Sequence, residues 1–93
     1  MKIPAEFVDS AQFQKLRPTA VKLLLVLARR ADERGRVEAP WRVACDAAGI
    51  EPSTFYRNLR ALEGLGVLKR RRRGRAVAAY RIDFSDLRRF KRS

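Results

Sequence analysis

The chain has 93 residues, with 22 Lys and Arg against 10 Asp and Glu, a formal charge of +12, one Cys and no His. That length makes one small domain, which buries about 60 to 65% of its unfolded surface and leaves no room for a deep active-site cleft. The lone Cys45 excludes an internal disulfide, the missing His excludes the usual Cys and His zinc sets within the chain, and the charge points to a polyanionic partner.

The first residues, Met1-Lys2-Ile3-Pro4-Ala5-Glu6, reach an acid before any apolar run develops, which is not a secretory signal. The longest apolar run, residues 23–28, falls far short of the ~20 residues that span a bilayer. A soluble protein of a reducing, cytoplasmic compartment is expected, with no membrane partner. Residues 1–17 form an N-terminal segment carrying Phe7, Phe13 and Leu16.

Pro18 and Thr19 open the first strong helical signal, since proline suits a first-turn position where its missing N–H does no harm. The spacing predicts a helix over 18–31, with Val21, Leu24, Leu25 and Ala28 as its core stripe. Leu23, Val26 and Leu27 fall on the other side, so the back of this helix is apolar too and needs cover. The N-terminal segment is one candidate. A basic amphipathic tail, residues 83–93, is another, with Phe84, Leu87 and Phe90 at helical spacing. A second copy is the third, giving a homodimer through Leu23, Val26 and Leu27 or through the Phe84 to Phe90 tail.

Residues 35–38 read as a turn and a very short strand. A second helix is expected over 40–48, ended by Gly49 in the left-handed conformation that costs other residues energy. Trp41, Ala44, Cys45 and Ala48 form its inner face, where Cys45 is a small buried residue and not a nucleophile, because no His exists to activate it. Pro52 starts a third helix, 52–64. Phe55, Leu59 and Leu62 share its inner face and leave Ser53, Arg57 and Arg60 outward, flanked by Thr54 and Tyr56. Residues 67–71 and 77–82 then read as a hairpin around Arg73 and Gly74, although its period-2 alternation is imperfect.

Catalysis is not expected. Asp32, Glu33, Asp83 and Asp86 show no spacing that pairs carboxylates, no glycine-rich phosphate loop is present, and catalytic histidine is absent, so no cofactor and no metal site are expected.

Two short helices joined across Gly49-Ile50-Glu51 make a helix-turn-helix. With the stretch AAGIEPSTFYRNLRALEGLGVLKR, and with helix, short strand, two helices and basic hairpin in that order, residues 18–82 resemble the winged helix-turn-helix family. Within it they are similar to bacterial and plasmid regulators and to the DNA-binding modules of plasmid replication initiators. The resemblance implies a mainly α fold with a small β-hairpin wing: a three-helix core plus a two- or three-stranded antiparallel sheet. It implies sequence-specific binding of double-stranded DNA, with recognition helix 52–64 in the major groove and wing 67–82 on the backbone or minor groove. A transcriptional regulator or a plasmid maintenance factor, bound to nucleoid or plasmid, is the expected role.

On that footing Arg57 is the base reader, because a guanidinium bonds bidentately to the major-groove edge of guanine. Arg60, a turn further on, holds phosphate. Ser53 and Thr54 suit phosphate oxygens at the helix N-terminus, Tyr56 packs on a thymine methyl or a sugar, and Arg42 clamps the backbone. Lys69, Arg70, Arg71, Arg72, Arg73 and Arg75 sit at the wing tip, where phosphates offset their mutual repulsion. Glu51 departs from the pattern, standing where Ser, Thr, Asp or Asn usually caps the helix. Two other functions compete: an RNA-binding winged helix, and an interaction or scaffold module of a replication or partition complex that docks through the apolar back of the first helix or through the tail.

Overall fold

A computed structural model of the chain describes residues 1–74 and 76–92. Helices α1 (Ala5–Val8) and α2 (Ala11–Gln14) precede α3 (Pro18–Arg30); β1 (Arg36–Val37), α4 (Trp41–Ala48) and α5 (Pro52–Gly64) follow, then β2 (Leu68–Arg73), β3 (Ala76–Ile82) and a 3-10 turn at Leu87–Arg89. The strands form an antiparallel sheet in the order β1-β3-β2. This helix-rich architecture with a small antiparallel sheet ending in a hairpin is the winged-helix-like arrangement expected. The hairpin strands differ at their ends: β2 runs two residues further along the arginine run than the expected 71, and β3 starts one residue earlier than 77.

The largest correction concerns α3. Its buried residues are Ala20, Leu23, Leu24, Leu27 and Ala28, whereas Leu25 is 55% exposed and Val21 half-buried. Ala20, Leu23, Leu24 and Leu27 obey the same i, i+3, i+4, i+7 rule, started one residue earlier. A helix apolar on nearly every side satisfies that rule from more than one origin, and only the elements packed against it choose among them. Here α4 and α5 pack on α3. Because Leu23 and Leu27 are 0% exposed, they offer no surface to a second copy, and of the expected homodimer route through Leu23, Val26 and Leu27 only Val26, half-buried, keeps any surface.

Both terminal segments join in covering the core. The Phe7 ring is wholly buried, with ring centroids of Phe13 at 5.4 Å, Phe84 at 5.2 Å and Phe90 at 4.9 Å. The backbone seals the junction: Ala11 N–H donates to the Lys91 carbonyl at 2.7 Å, and Ser10 bridges Arg92. Gln12 donates to the Arg89 carbonyl at 3.0 Å and accepts from the Lys91 N–H at 3.2 Å. The Phe84, Leu87, Phe90 spacing of three is served by a single 3-10 turn, whose period is three, rather than by an α-helix. Asp86 caps that turn by accepting from the Arg88 N–H. The aromatic side chains of the tail thus pack half-buried against the core.

In the sheet, Val37, Leu68, Tyr80 and Ile82 are buried and close the core from below the helices. The register sets Leu68 opposite Ile82, Arg70 opposite Tyr80 and Val37 opposite Tyr80, with a bulge between Arg71 and Arg72. Side chains alternate across a strand, so this inward set dictates which of the neighbouring residues face solvent.

Candidate nucleic-acid interface

The α4 to α5 corner is tight because Gly49 takes φ 65° and ψ 35°, left-handed values that side-chain-bearing residues resist. Ala44, Cys45 and Ala48 are buried where the helices cross. The Cys45 thiol donates to the Ile50 carbonyl at 2.9 Å, and burial, with Asp46 adding repulsion, pushes its pKa up. It is a packing residue.

α5 buries Phe55, Asn58, Leu59 and Leu62. Asn58 completes the helical stripe, yet a polar residue in an apolar row carries no hydrophobic signal, so the sequence alone did not mark it. Its amide nitrogen and the Tyr80 hydroxyl are both buried without a hydrogen-bond partner among the described residues. Burial also pushes the Tyr80 phenol up to about 12. On the other side of α5, Ser53, Arg57 and Arg60 are exposed, and Thr54 and Tyr56 are half-buried. Tyr56 is braced by Trp41 at 5.7 Å and Phe55 at 5.4 Å. The Arg42 guanidinium lies 5.3 Å over the Trp41 ring, a cation–π contact that links Arg42 through Trp41 to the outward edge of α5. Glu51 occupies the N-cap without a side-chain cap bond.

Among the described residues the basic run is spread along a strand rather than gathered at a tip. Residues 69–73 lie in β2, which turns Lys69 and Arg71 to one face and Arg70 to the other. Lys69, Arg71 and Arg72 are exposed. Arg70 turns inward: its Nε and Nη2 donate to Glu63 Oε1 of α5 at 2.9 and 2.5 Å, and its side chain is 17% exposed. This turns Arg70 away from the exposed cations of the strand and commits its Nε and Nη2 to Glu63, which makes it a weaker candidate for phosphate than its exposed neighbours. The Glu63 hydrogen bond also holds its pKa above the ordinary value. Lys69 Nζ stands 3.5 Å from Asp83 Oδ2. Hydrogen bonds from Ser85, followed by Lys69, pull the Asp83 carboxyl down to about 2. The Arg73 side chain and the whole of Arg75 lie outside the described residues.

Two exposed cations escaped the sequence reading. Arg36 of β1 and Arg81 of β3 face one another across the sheet. The signal was present in alternation, since buried Val37, Tyr80 and Ile82 require Arg36 and Arg81 to point outward, but a two-residue strand has no period of its own to read.

No protein-family model matches the chain, and no curated protein matches it. Among solved structures it is similar to one described as the N-terminal domain of a DNA binding protein, with TM-score 0.61 and 18% identity over 88% of this chain and 72% of the other. It is also similar to one described as the structure of a Rep-DNA complex, with TM-score 0.60 and 18% identity over 88% of this chain and 72% of that one.

Proposed function

We propose that the chain is a winged helix-turn-helix protein that binds double-stranded DNA by sequence, with α5 in the major groove and the wing along the backbone or minor groove. Its role is to regulate transcription or to maintain a plasmid, and it acts as a binding protein, without catalysis and without a cofactor. The observation that carries this reading is the outward edge of α5: Arg57 and Arg60, exposed and one turn apart, on a helix fixed from behind by Phe55, Leu59 and Leu62. Arg57 reads a base; Arg60, Ser53, Thr54 and Arg42 hold phosphates; Tyr56 packs on a sugar or methyl group. Lys69, Arg71, Arg72, Arg73 and Arg75 supply the wing's charge. Two solved neighbours whose descriptions name DNA binding and a Rep-DNA complex support this reading. The scaffold reading loses weight, because its docking residues Leu23 and Leu27 are fully buried and Phe84 and Phe90 are half-buried against the core.

The test is selection from random duplex DNA at about 200 mM salt, where non-specific phosphate binding has weakened. A defined motif for the native chain that blurs in Arg57→Ala is expected. Binding that merely fades with salt and yields no motif defeats the sequence-specific reading, and preference for structured RNA at matched salt replaces DNA with RNA.

A further inference from the structure

The proposed function draws on Lys69 and Arg71 from the solvent side of the sheet but leaves Arg36 and Arg81 beside them without a role. There Arg36 of β1 stands directly opposite Arg81 of β3, and Arg81 directly opposite Lys69 of β2. Arg71, two residues beyond Lys69 on the same face, stands opposite Ala79. All four cations are exposed, while the alternating neighbours Val37, Leu68, Tyr80 and Ile82 are buried.

Like charges directly opposite on adjacent strands work against the pairing that holds the sheet. The fold offsets little of this. Among the described residues, the side chains of Arg36, Arg71 and Arg81 enter no hydrogen bond or ion pair, and Lys69 alone reaches a carboxylate, Asp83. A cleft of about 210 Å³ opens on this face, lined in part by Arg36, Lys69, Arg71 and Arg81, with one acid, Glu38, at its edge. Ala79 also lines it, and its small side chain leaves the space between the cations open. A row of cations on neighbouring strands about 4.8 Å apart, around a low floor, matches a linear chain of negative charges better than a single small anion.

We infer that Arg36 and Arg81 extend the phosphodiester-binding surface beyond the wing strand across the solvent face of the sheet, where with Lys69 and Arg71 they hold the backbone of duplex DNA without reading its sequence. The inference rests on the DNA-binding reading but uses no residue of α5. The row keeps its repulsion in the free protein and loses it when its cations pair with phosphates and release the counterions condensed on the DNA.

The experiment is anisotropy titration of the full chain on one selected and one scrambled duplex, between about 50 and 200 mM salt. Arg36→Ser/Arg81→Ser is compared with Arg29→Ser/Arg30→Ser, which removes equal charge from the exposed end of α3. The sheet variant should lower the slope of log K against log salt by about 1.8, weaken both duplexes at least tenfold at about 100 mM salt, and keep their affinity ratio. Arg36→Lys/Arg81→Lys should restore the slope, and a melting curve no lower than the native one establishes that the sheet variant is folded. An unchanged slope in the sheet variant overturns the inference. So does an equal fall in the α3 variant, because net charge and not the face would then be responsible. A native chain that binds neither duplex overturns the DNA-binding reading itself, a result distinct from either of these.

Discussion

α5 and β2 carry similar side chains and dispose of them differently. A helix returns to the same face every three or four residues, so Arg57 and Arg60 emerge together while Phe55, Asn58, Leu59 and Leu62 anchor the other side. A strand reverses face at every residue, so a continuous basic run cannot all face one way: Lys69 and Arg71 go to solvent and Arg70 goes to Glu63. Clustered charge in sequence therefore becomes a single edge on a helix and two unlike populations on a strand. One population can meet a ligand; the other holds the wing to the helix.

Substitution on each element sharpens this contrast. Arg57→Ala should remove about 1 to 3 kcal/mol of discrimination between the selected site and its variants at one base pair, with little change in salt dependence. Arg71→Ala should do the reverse, weakening every duplex alike and reducing the salt slope by about 0.9. Competition titrations over a set of single-base variants separate the two, and a uniform loss from Arg57→Ala would make the helix just another phosphate surface.

Glu63→Ala tests the inward population. Removing the carboxylate leaves the Arg70 guanidinium partly buried and unpaired, which should cost about 2 kcal/mol, between the value of an exposed pair and the loss on breaking a buried one. Adding Arg70→Met should recover most of that loss in urea unfolding. If the single variant is as stable as the native chain, Arg70 is not a strut and returns to the set of phosphate contacts.

Much of this was legible beforehand. The prolines at 18 and 52 and Gly49 mark helix boundaries by backbone constraints that hold in any tertiary context, and those boundaries stand in the structure. The face of α5 was legible because its apolar residues are few and periodic. α3 was not, because apolar residues on nearly all its sides let two frames fit, and the choice of Leu23 over Leu25 belongs to the packing of α4, α5 and Phe7. Arg70 was missed for a related reason. Its direction depends on the phase of β2, which is set by Leu68 packing inward and by the acceptor that α5 places beneath it. Arg36 and Arg81 become visible only once pairing brings strands distant in sequence side by side.

Asp83 offers a smaller effect at the base of the wing. Its carboxyl, held at about 2 by Ser85 and Lys69, lies below the usual value near 3.8. A folded pKa below the unfolded one gives stability that is fully present above about pH 4 and is lost as the pH falls through about 2. With solvent screening the contribution is about 1 kcal/mol. Asp83→Asn should flatten the stability profile between those limits in acid titrations followed by circular dichroism, and a profile unchanged in shape would place the acid sensitivity elsewhere, for instance at Asp32, whose pKa the Arg36 N–H also lowers.

The smallest effect is the most telling about the outer face of the sheet. Arg81 is flanked in register by Arg36 and Lys69, so it meets a like charge on both sides. Arg81→Thr removes both repulsions and substitutes a residue that strands favour, and should raise stability by a few tenths of a kcal/mol at low salt. Salt screens exposed charges, so the gain should shrink as ionic strength rises towards 1 M, where the Debye length is about 3 Å. The same substitution should weaken binding to any duplex. A residue that costs stability in the free protein and strengthens the complex is one whose place in the sheet is explained by the partner; if Arg81→Thr instead lowers stability at every salt concentration, the row is a structural feature and its charge needs no ligand.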